Sequence, residues 1–319
     1  MPENLKRRCR QFWTTAGARG VCVSFHSVNK DPQPLWPNVG PTTAVTAEEF
    51  EVVIRQLAAH FIPLPLSQMV DHLRHKNLPQ NSVAVTFDDG FRDNFELAFP
   101  VLQHYAVPAT IFITPGFVNG DVRPLEYDLS HLIRNQDQLT FEWNGQVHEW
   151  RIENNKDREA CYKELKGILR PQPYTVQREK LVEMGFDEEV YPPPAYLSWE
   201  EVKQLNASPL IEIGSHTYSH QRLDTVNKGL AEQEIARGKT VIEENIGEDV
   251  RQFSYPYGGY NAIVKEMVKH EGFNGAVTSG KRAIRYVDTD AFAIPRCELR
   301  SPLPQCVRKT ADVIRPFVS

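Results

Sequence analysis

Residues 83–90, Val-Ala-Val-Thr-Phe-Asp-Asp-Gly, constrain the fold and the chemistry of this chain more than any other segment. The apolar, β-branched start is typical of a buried strand, and two adjacent acids, Asp88 and Asp89, follow it directly. Neighbouring side chains of a strand point to opposite faces, and Gly90 permits a sharp turn, so the acids can reach one pocket in different roles. One can bind a metal ion while the other accepts a proton. The alternative is an ordinary turn with solvated acids.

Strand and helix patterns alternate along the chain. Apolar runs predict further strands at residues 21–25, 109–114, 211–213, 252–255 and 275–278. Periodicity predicts helices at 46–60, 66–75, 94–105 (with Pro100 as a kink or a second start), 228–246 and 262–271. Strands separated by helices indicate parallel βαβ units, and in a barrel of such units the chemistry lies at the carboxyl ends of the strands.

Residues 117–196 interrupt this alternation. They are charged, contain tryptophans and prolines, and end near three consecutive prolines at 192–194. We predict an insertion of helices with a small hairpin at residues 140–152, which covers one end of a barrel. Residues 1–319 are then a single domain that carries this insertion.

The composition excludes several classes of protein. Hydrophobic residues at 41% and charged residues at 24% are ordinary globular values, and a net charge of −5 argues against a nucleic-acid partner. The five cysteines form no Cys-x-x-Cys pair, which disfavours a disulfide framework and a cysteine-ligated zinc site. No apolar run approaches the ~20 residues of a membrane span, and the N-terminus lacks the apolar core of a signal peptide. We therefore predict a cytoplasmic protein without a transmembrane segment.

Residues 6–13 are basic and include two aromatic side chains. Such a segment is compatible with a weak contact to a membrane surface, but we favour a solvated first helix because few apolar residues are present. The sequence does not determine the oligomeric state.

A second motif, Gly-Ser-His-Thr-Tyr-Ser-His at residues 214–220, follows the predicted strand at 211–213. His216 and His220 are four residues apart, a spacing that puts both on one face of a helical turn. With Asp89 they form a two-histidine, one-carboxylate set typical of a catalytic metal site, with zinc as the default and iron, cobalt or nickel as alternatives. Two unrelated surface histidines are the competing interpretation. This interpretation is less favoured because the histidine motif and the Asp88-Asp89 motif each stand at the end of a predicted strand.

A third motif, Phe-Ser-Tyr-Pro-Tyr-Gly at residues 253–258, follows another predicted strand. Pro256 fixes the backbone and Gly258 permits an unusual turn, so a rigid N–H here can point at a developing oxyanion. The alternative is a plain Pro-Gly turn.

In order, these three motifs resemble those of the polysaccharide deacetylases, the NodB-homology group also known as carbohydrate esterase family 4. The resemblance covers residues 21–296 apart from the insertion. It implies an α/β fold, a distorted (β/α)7 barrel, and removal of N-acetyl or O-acetyl groups from sugars with one divalent metal ion.

The resemblance also implies roles for particular residues. Asp88 resembles the general base that activates metal-bound water, and the Tyr257 backbone N–H resembles an oxyanion donor. The family's metal ligands correspond to Asp89, His216 and His220. These roles agree with the chemistry, because an amide carbonyl needs polarisation and its attacking water needs deprotonation.

The chain departs from the family pattern in two places, and in each another residue would have to replace the missing one. Ser254 stands where the third motif usually has an arginine, and Arg296, near the last strand, is the candidate replacement. The family's last motif supplies a histidine as general acid, but no histidine follows His270. His26, at the tip of the first strand, can take that space in a closed barrel, as in circularly permuted members that act on poly-N-acetylglucosamine. The alternative for His26 is a hydrogen bond to a loop.

We therefore expect a metal-dependent hydrolase that removes N-acetyl groups from an amino sugar in a polysaccharide, a glycolipid or a nucleotide-linked precursor. The alternatives are a deformylase or another amide hydrolase acting on a sugar, and a catalytically inactive barrel that binds glycans.

Overall fold

The computed structural model describes residues 19–30, 44–134, 136–191, 193–280, 283–285 and 288–301. Strands are numbered in chain order: β1 Gly20–Phe25, β2 Ser27–Asn29, β3 Ala44–Thr46, β4 Ile62–Pro63, β5 Ser82–Phe87, β6 Ala109–Ile113, β7 Gln138–Trp143, β8 Gln146–Arg151, β9 Ile211–Ser215, β10 Gln252–Ser254, β11 Gly275–Ser279 and β12 Ile294–Glu298. The α-helices are α1 Ala47–His60, α2 Leu66–Arg74, α3 Phe99–Tyr105, α4 Pro115–Asn119, α5 Leu125–Arg134, α6 Asn155–Leu169, α7 Tyr174–Glu183, α8 Trp199–Asn206, α9 Lys228–Ile246 and α10 Ala262–His270.

Seven parallel strands close into a barrel. Their order is β1-β12-β11-β10-β9-β6-β5, and β5 returns to pair with β1 from Gly20↔Ser82 to Phe25↔Phe87. The short strand β4 adds to the first half of β5. The predicted (β/α)7 barrel is thus confirmed, and its closure makes the first strand a neighbour of the last.

The barrel strands are apolar because the helices cover their outer faces. Every residue of β1 and β5 is buried. Phe25, Phe50 and Phe87 form an aromatic cluster between these strands and α1, with ring centroids 5.1–5.7 Å apart. Burial of such large rings contributes much of the driving force for folding.

Local signals set several element boundaries as the sequence predicts. The Thr46 side chain accepts a hydrogen bond from the Glu49 N–H and caps α1. A π-helical turn at Asn94–Ala98 precedes α3, and Pro100 lies in the first turn of α3, which makes it a second start. The predicted N-terminal basic helix lies outside the described residues.

Residues 117–196 contain the predicted helices and hairpin. Strands β7 and β8 pair antiparallel around a tight turn, and helices α5, α6 and α7 pack beside them. Their buried side chains, among them Leu129 and Leu165, form a hydrophobic cluster of their own. The assignment of residues 1–319 to one domain stays a prediction. Among the described helices none is long and apolar enough to cross a membrane.

The aromatic cluster gives a test of the core. We expect Phe50→Ala to lower the free energy of unfolding by about 3–5 kcal/mol, because Phe50 is fully buried and the cavity cannot collapse against rigid strands. Urea unfolding measures this value. As a control, Ile263→Ala removes an exposed side chain and should change stability by less than about 0.5 kcal/mol. Equal effects of both substitutions would contradict the described core.

Candidate active site

A cleft of about 640 Å³ lies at the carboxyl end of the barrel. It is lined by the segments that follow β1, β5, β9 and β10, by residues of β12 and by residues of the insertion. All seven residues predicted for the site border this cleft: His26, Asp88, Asp89, His216, His220, Tyr257 and Arg296.

Asp89, His216 and His220 point their ligand atoms at one spot. These atoms lie within 4.8 Å of one another, and Asp89 Oδ1 is 3.6 Å from His216 Nε2 and 3.4 Å from His220 Nε2. Asp89 Oδ1 is buried and has no hydrogen-bond partner among the described residues. A buried carboxylate oxygen facing two imidazole nitrogens fits a divalent metal ion.

The predicted helical turn at His216–His220 is wrong. His216 directly follows β9, and the segment after it is irregular, with left-handed φ values of 63° at Thr217 and 58° at His220. A Cβ on Gly238 of α9 would lie 2.7 Å from the Thr217 backbone, so only glycine allows this approach. A loop, rather than a helix, therefore brings the two imidazoles together.

Hydrogen bonds orient both imidazole rings. His216 Nδ1 is 2.8 Å from the Ser254 carbonyl oxygen, which can only accept, so Nδ1 carries the proton and Nε2 a lone pair. His220 Nδ1 is 3.1 Å from the Tyr257 hydroxyl.

The electrostatic setting also suits a metal. Burial lowers the pKa of His216 to about 4, and burial together with His216 lowers the pKa of His220, so both rings are neutral. Burial, with Asp88 and Glu126 adding to it, raises the pKa of Asp89 to about 7 despite nearby His26. A cation beside Asp89 would favour its ionised form.

Asp88 also borders the cleft and is paired with Arg296. Arg296 Nη1 and Nη2 lie 2.8 and 2.6 Å from the two carboxylate oxygens, and both residues are buried. The Ser254 hydroxyl bridges the pair, 3.0 Å from Arg296 Nη2 and 3.2 Å from Asp88 Oδ1. Burial opposes the charge, but Arg296, His216 and His26 outweigh it and hold the pKa of Asp88 well below its ordinary value.

His26 stands between two carboxylates. Its Nε2 is 3.9 Å from Asp88 Oδ2, and its Nδ1 is 3.9 Å from Glu298 Oε1. Asn94 donates to the His26 carbonyl oxygen at 2.8 Å and so fixes the backbone of this residue. The ring therefore faces the cleft beside Asp88.

Tyr257 lies in a short 3₁₀ turn with φ 58°. Gly258 follows with φ 67°, and a Cβ there would lie 2.6 Å from the Ser279 N. Tyr257 borders the cleft, and its ring packs against His220, with ring centroids 4.5 Å apart.

Residues of the insertion also border the site, and the sequence did not predict them. Glu126 accepts from the Tyr257 hydroxyl, Arg170 pairs with Glu126, and the Tyr196 ring stacks on Phe117. The Tyr196 hydroxyl is buried without a partner in the described parts of the chain. No sequence signal links these residues to the motifs, because the contacts join an insertion of irregular pattern to loops far along the chain.

A model of the polysaccharide deacetylase family matches residues 75–276, and the chain belongs to this family. It is 35% identical over 270 residues to YxkH, a putative polysaccharide deacetylase of Bacillus subtilis, which covers 83% of this chain and 66% of YxkH. It is 21% identical over 262 residues to a poly-beta-1,6-N-acetyl-D-glucosamine N-deacetylase of Staphylococcus epidermidis, covering 79% of this chain and 67% of the relative. The chain thus spans about two thirds of the length of these relatives.

The fold is also similar to that of IcaB from Ammonifex degensii. The TM-score is 0.60 at 20% identity, over 94% of this chain and 98% of that chain. At this identity the similarity supports only the barrel fold. The chemistry has to be argued from the residues of the site.

The buried pair of Asp88 and Arg296 gives a second prediction. Arg296→Met leaves the Asp88 charge buried and unpaired, which should lower the free energy of unfolding by about 3–5 kcal/mol in urea titrations. A second change, Asp88→Asn, should restore part of this loss. The control Arg251→Met breaks an exposed ion pair with Asp249 and should cost less than about 1 kcal/mol. An unchanged free energy of unfolding in Arg296→Met would contradict the pairing.

Proposed function

We propose that this chain is a metal-dependent deacetylase that removes N-acetyl groups from an amino sugar within a polysaccharide. One observation carries the proposal: two carboxylates, Asp88 and Asp89, border the same cleft but have different partners. Asp89 faces two neutral imidazoles, whereas Asp88 is ionised and held by Arg296. Amide hydrolysis needs one group that binds a Lewis acid and another that accepts a proton.

Asp89, His216 and His220 would hold the metal ion. When bound, the ion would polarise the amide carbonyl and lower the pKa of the attacking water. Zinc is the first candidate for this donor set, and cobalt, nickel or iron would also fit it.

Asp88 would accept the proton of the attacking water. Its oxygens face the cleft beside the metal ligands, and Arg296 keeps the carboxylate ionised and fixed in orientation. A general base is effective only within hydrogen-bond reach of the proton that it accepts. The two-pronged contact with Arg296 holds the Asp88 carboxylate in one position, as such reach requires.

His26 would protonate the leaving amine as the C–N bond breaks. Its Nε2 lies 3.9 Å from Asp88 Oδ2, so the proposed base and acid are neighbours in the cleft. The Tyr257 backbone N–H would donate a hydrogen bond to the developing oxyanion.

The substrate class is argued from relatives and from the cleft. The Staphylococcus epidermidis relative is named for poly-beta-1,6-N-acetyl-D-glucosamine. In this chain a 640 Å³ cleft bordered by tyrosines can hold sugar rings, whose apolar faces pack on aromatic side chains. A glycolipid or a nucleotide-linked precursor remains an alternative, the latter tied to the predicted cytoplasmic location.

Asp88→Asn and Asp89→Ala test the two carboxylate roles separately. We expect Asp88→Asn to lower kcat by about 10²–10⁴-fold while one zinc per chain is retained, because it removes the proton acceptor but no ligand. Asp89→Ala should lose both zinc and turnover. The assay is acetate release from β-1,6-linked N-acetylglucosamine oligomers and from chitooligosaccharides, with zinc content measured by elemental analysis.

The outcomes of this assay separate the alternatives. Formate or another acid in place of acetate would favour a different amide hydrolase. Full glycan binding without any product, in a zinc-loaded protein, would contradict the deacetylase and favour an inactive glycan-binding barrel.

His26→Gln tests the proton donor. We expect kcat to fall by about 10²–10³-fold with little change in KM, because protonation of the amine is needed only in the transition state. Zinc content should stay at the level of the unsubstituted protein. As a control, His72→Gln alters a half-buried histidine of α2 that bonds to Asn77 and does not line the cleft, so kcat should stay unchanged. An unchanged kcat for His26→Gln would assign the acid role elsewhere.

A further inference from the structure

A chain of hydrogen bonds runs from His220 into the insertion. His220 Nδ1 lies 3.1 Å from the Tyr257 hydroxyl, and this hydroxyl lies 3.1 Å from Glu126 Oε2 on α5. Arg170, at the end of α6, contacts Glu126 Oε1 through Nε at 3.1 Å and Nη2 at 2.5 Å. The barrel supplies the first two residues and the insertion supplies the other two.

The donors and acceptors allow only one direction along this chain. Arg170 can only donate, so Glu126 is held as an ionised acceptor. The Tyr257 O–H must then donate to Glu126, and its oxygen is left to accept from His220 Nδ1–H. His220 therefore carries its lone pair on Nε2, the nitrogen that faces Asp89 at 3.4 Å.

Packing reinforces the hydrogen bonds. The Arg170 guanidinium lies 4.0 Å from the centre of the Tyr257 ring, so one side chain fixes both Glu126 and Tyr257. The side chains of Glu126 and Arg170 are only 24% and 25% exposed, which limits competition from water. This protection distinguishes the group from an ordinary surface ion pair.

We propose that Tyr257, Glu126 and Arg170 are positioning residues that fix the tautomer and orientation of His220, so that the insertion completes the metal site. This inference rests on the proposed function, because it assumes that His220 is a metal ligand. It gives the insertion a role in metal affinity besides any role in holding substrate.

Zinc affinity tests the inference without any assay of activity. In competition with a chromophoric chelator, Tyr257→Phe should weaken zinc binding by the full chain about 10–100-fold, the effect typical of removing a partner of a metal-ligating histidine. The variant keeps the ring and the backbone N–H and loses only the hydroxyl. Glu126→Gln should weaken binding as well, because the amide is a poorer partner for Arg170 and Tyr257.

Two matched controls exclude a general effect of these substitutions. Tyr105→Phe breaks an exposed bond to Glu51 of the same 3.1 Å length. Glu164→Gln removes a carboxylate of α6 that accepts from His148 and Trp150. Both should leave zinc affinity within about twofold of the unsubstituted protein, and all variants should share its urea unfolding midpoint closely enough to exclude misfolding.

A double variant and a spectrum complete the test. If the residues act through one chain, Tyr257→Phe with Glu126→Gln should bind zinc no more weakly than Tyr257→Phe alone. The cobalt-loaded Tyr257→Phe protein should also show a shifted visible absorption band, because the His220 ring is less constrained. Fully additive losses, or zinc affinity and cobalt spectrum unchanged in Tyr257→Phe, would overturn the inference.

These results separate the inference from the proposed function. Unchanged zinc affinity in the variants, beside tight stoichiometric binding by the unsubstituted chain, would overturn the positioning role alone. Failure of the unsubstituted chain to bind any divalent metal would overturn both.

Discussion

Strand β1 hydrogen-bonds to β5 on one side and to β12 on the other, and the site depends on this double pairing. Cys22 stands in register with Ala84 of β5 and with Arg296 of β12, so three distant segments share one level of the barrel. The Asp88 N–H continues the ladder by donating to the Phe25 carbonyl oxygen. Arg296 can therefore reach Asp88 across the barrel, and His26 follows β1 at the same end. Without this double pairing, neither Arg296 nor His26 would lie beside the buried Asp88 carboxylate.

Two adjacent acids in a buried cleft would repel each other unless the fold separates them. It does so with backbone: a φ of 74° at Asp89 turns that side chain toward the histidines, while Asp88 stays with Arg296. Thr217, His220 and Tyr257 share such left-handed φ values. Each costs roughly 1–2 kcal/mol for a residue other than glycine. Half of the eight such residues in the described parts of the chain lie at this site, and strained backbone of this kind is typical of functional sites.

The sequence was most informative where one strand or one motif sufficed. The run before Asp88 predicts β5, and positions at strand ends predict which side chains meet, because parallel strands share a carboxyl end. The helical turn at His216 was wrong because spacing alone cannot distinguish a helix from a loop with two left-handed residues. Glu126 and Arg170 were missed, since their contacts depend on how the insertion docks. Arg296 was predicted only because Ser254 occupies the position where the third motif usually has an arginine, so that another arginine had to be sought.

The position of β12 has a consequence for the order in which the molecule is assembled. This strand lies between β1 and β11, yet it is the last barrel strand to leave the ribosome. Until residue 296 has been synthesised, β1 has an open edge and Asp88 lacks its guanidinium. Such distant pairings form slowly because the intervening chain must first be brought together. The nascent chain thus carries both acids, the histidines and the insertion before β12 exists, and Asp88 can pair with Arg296 only after residue 296 has left the ribosome.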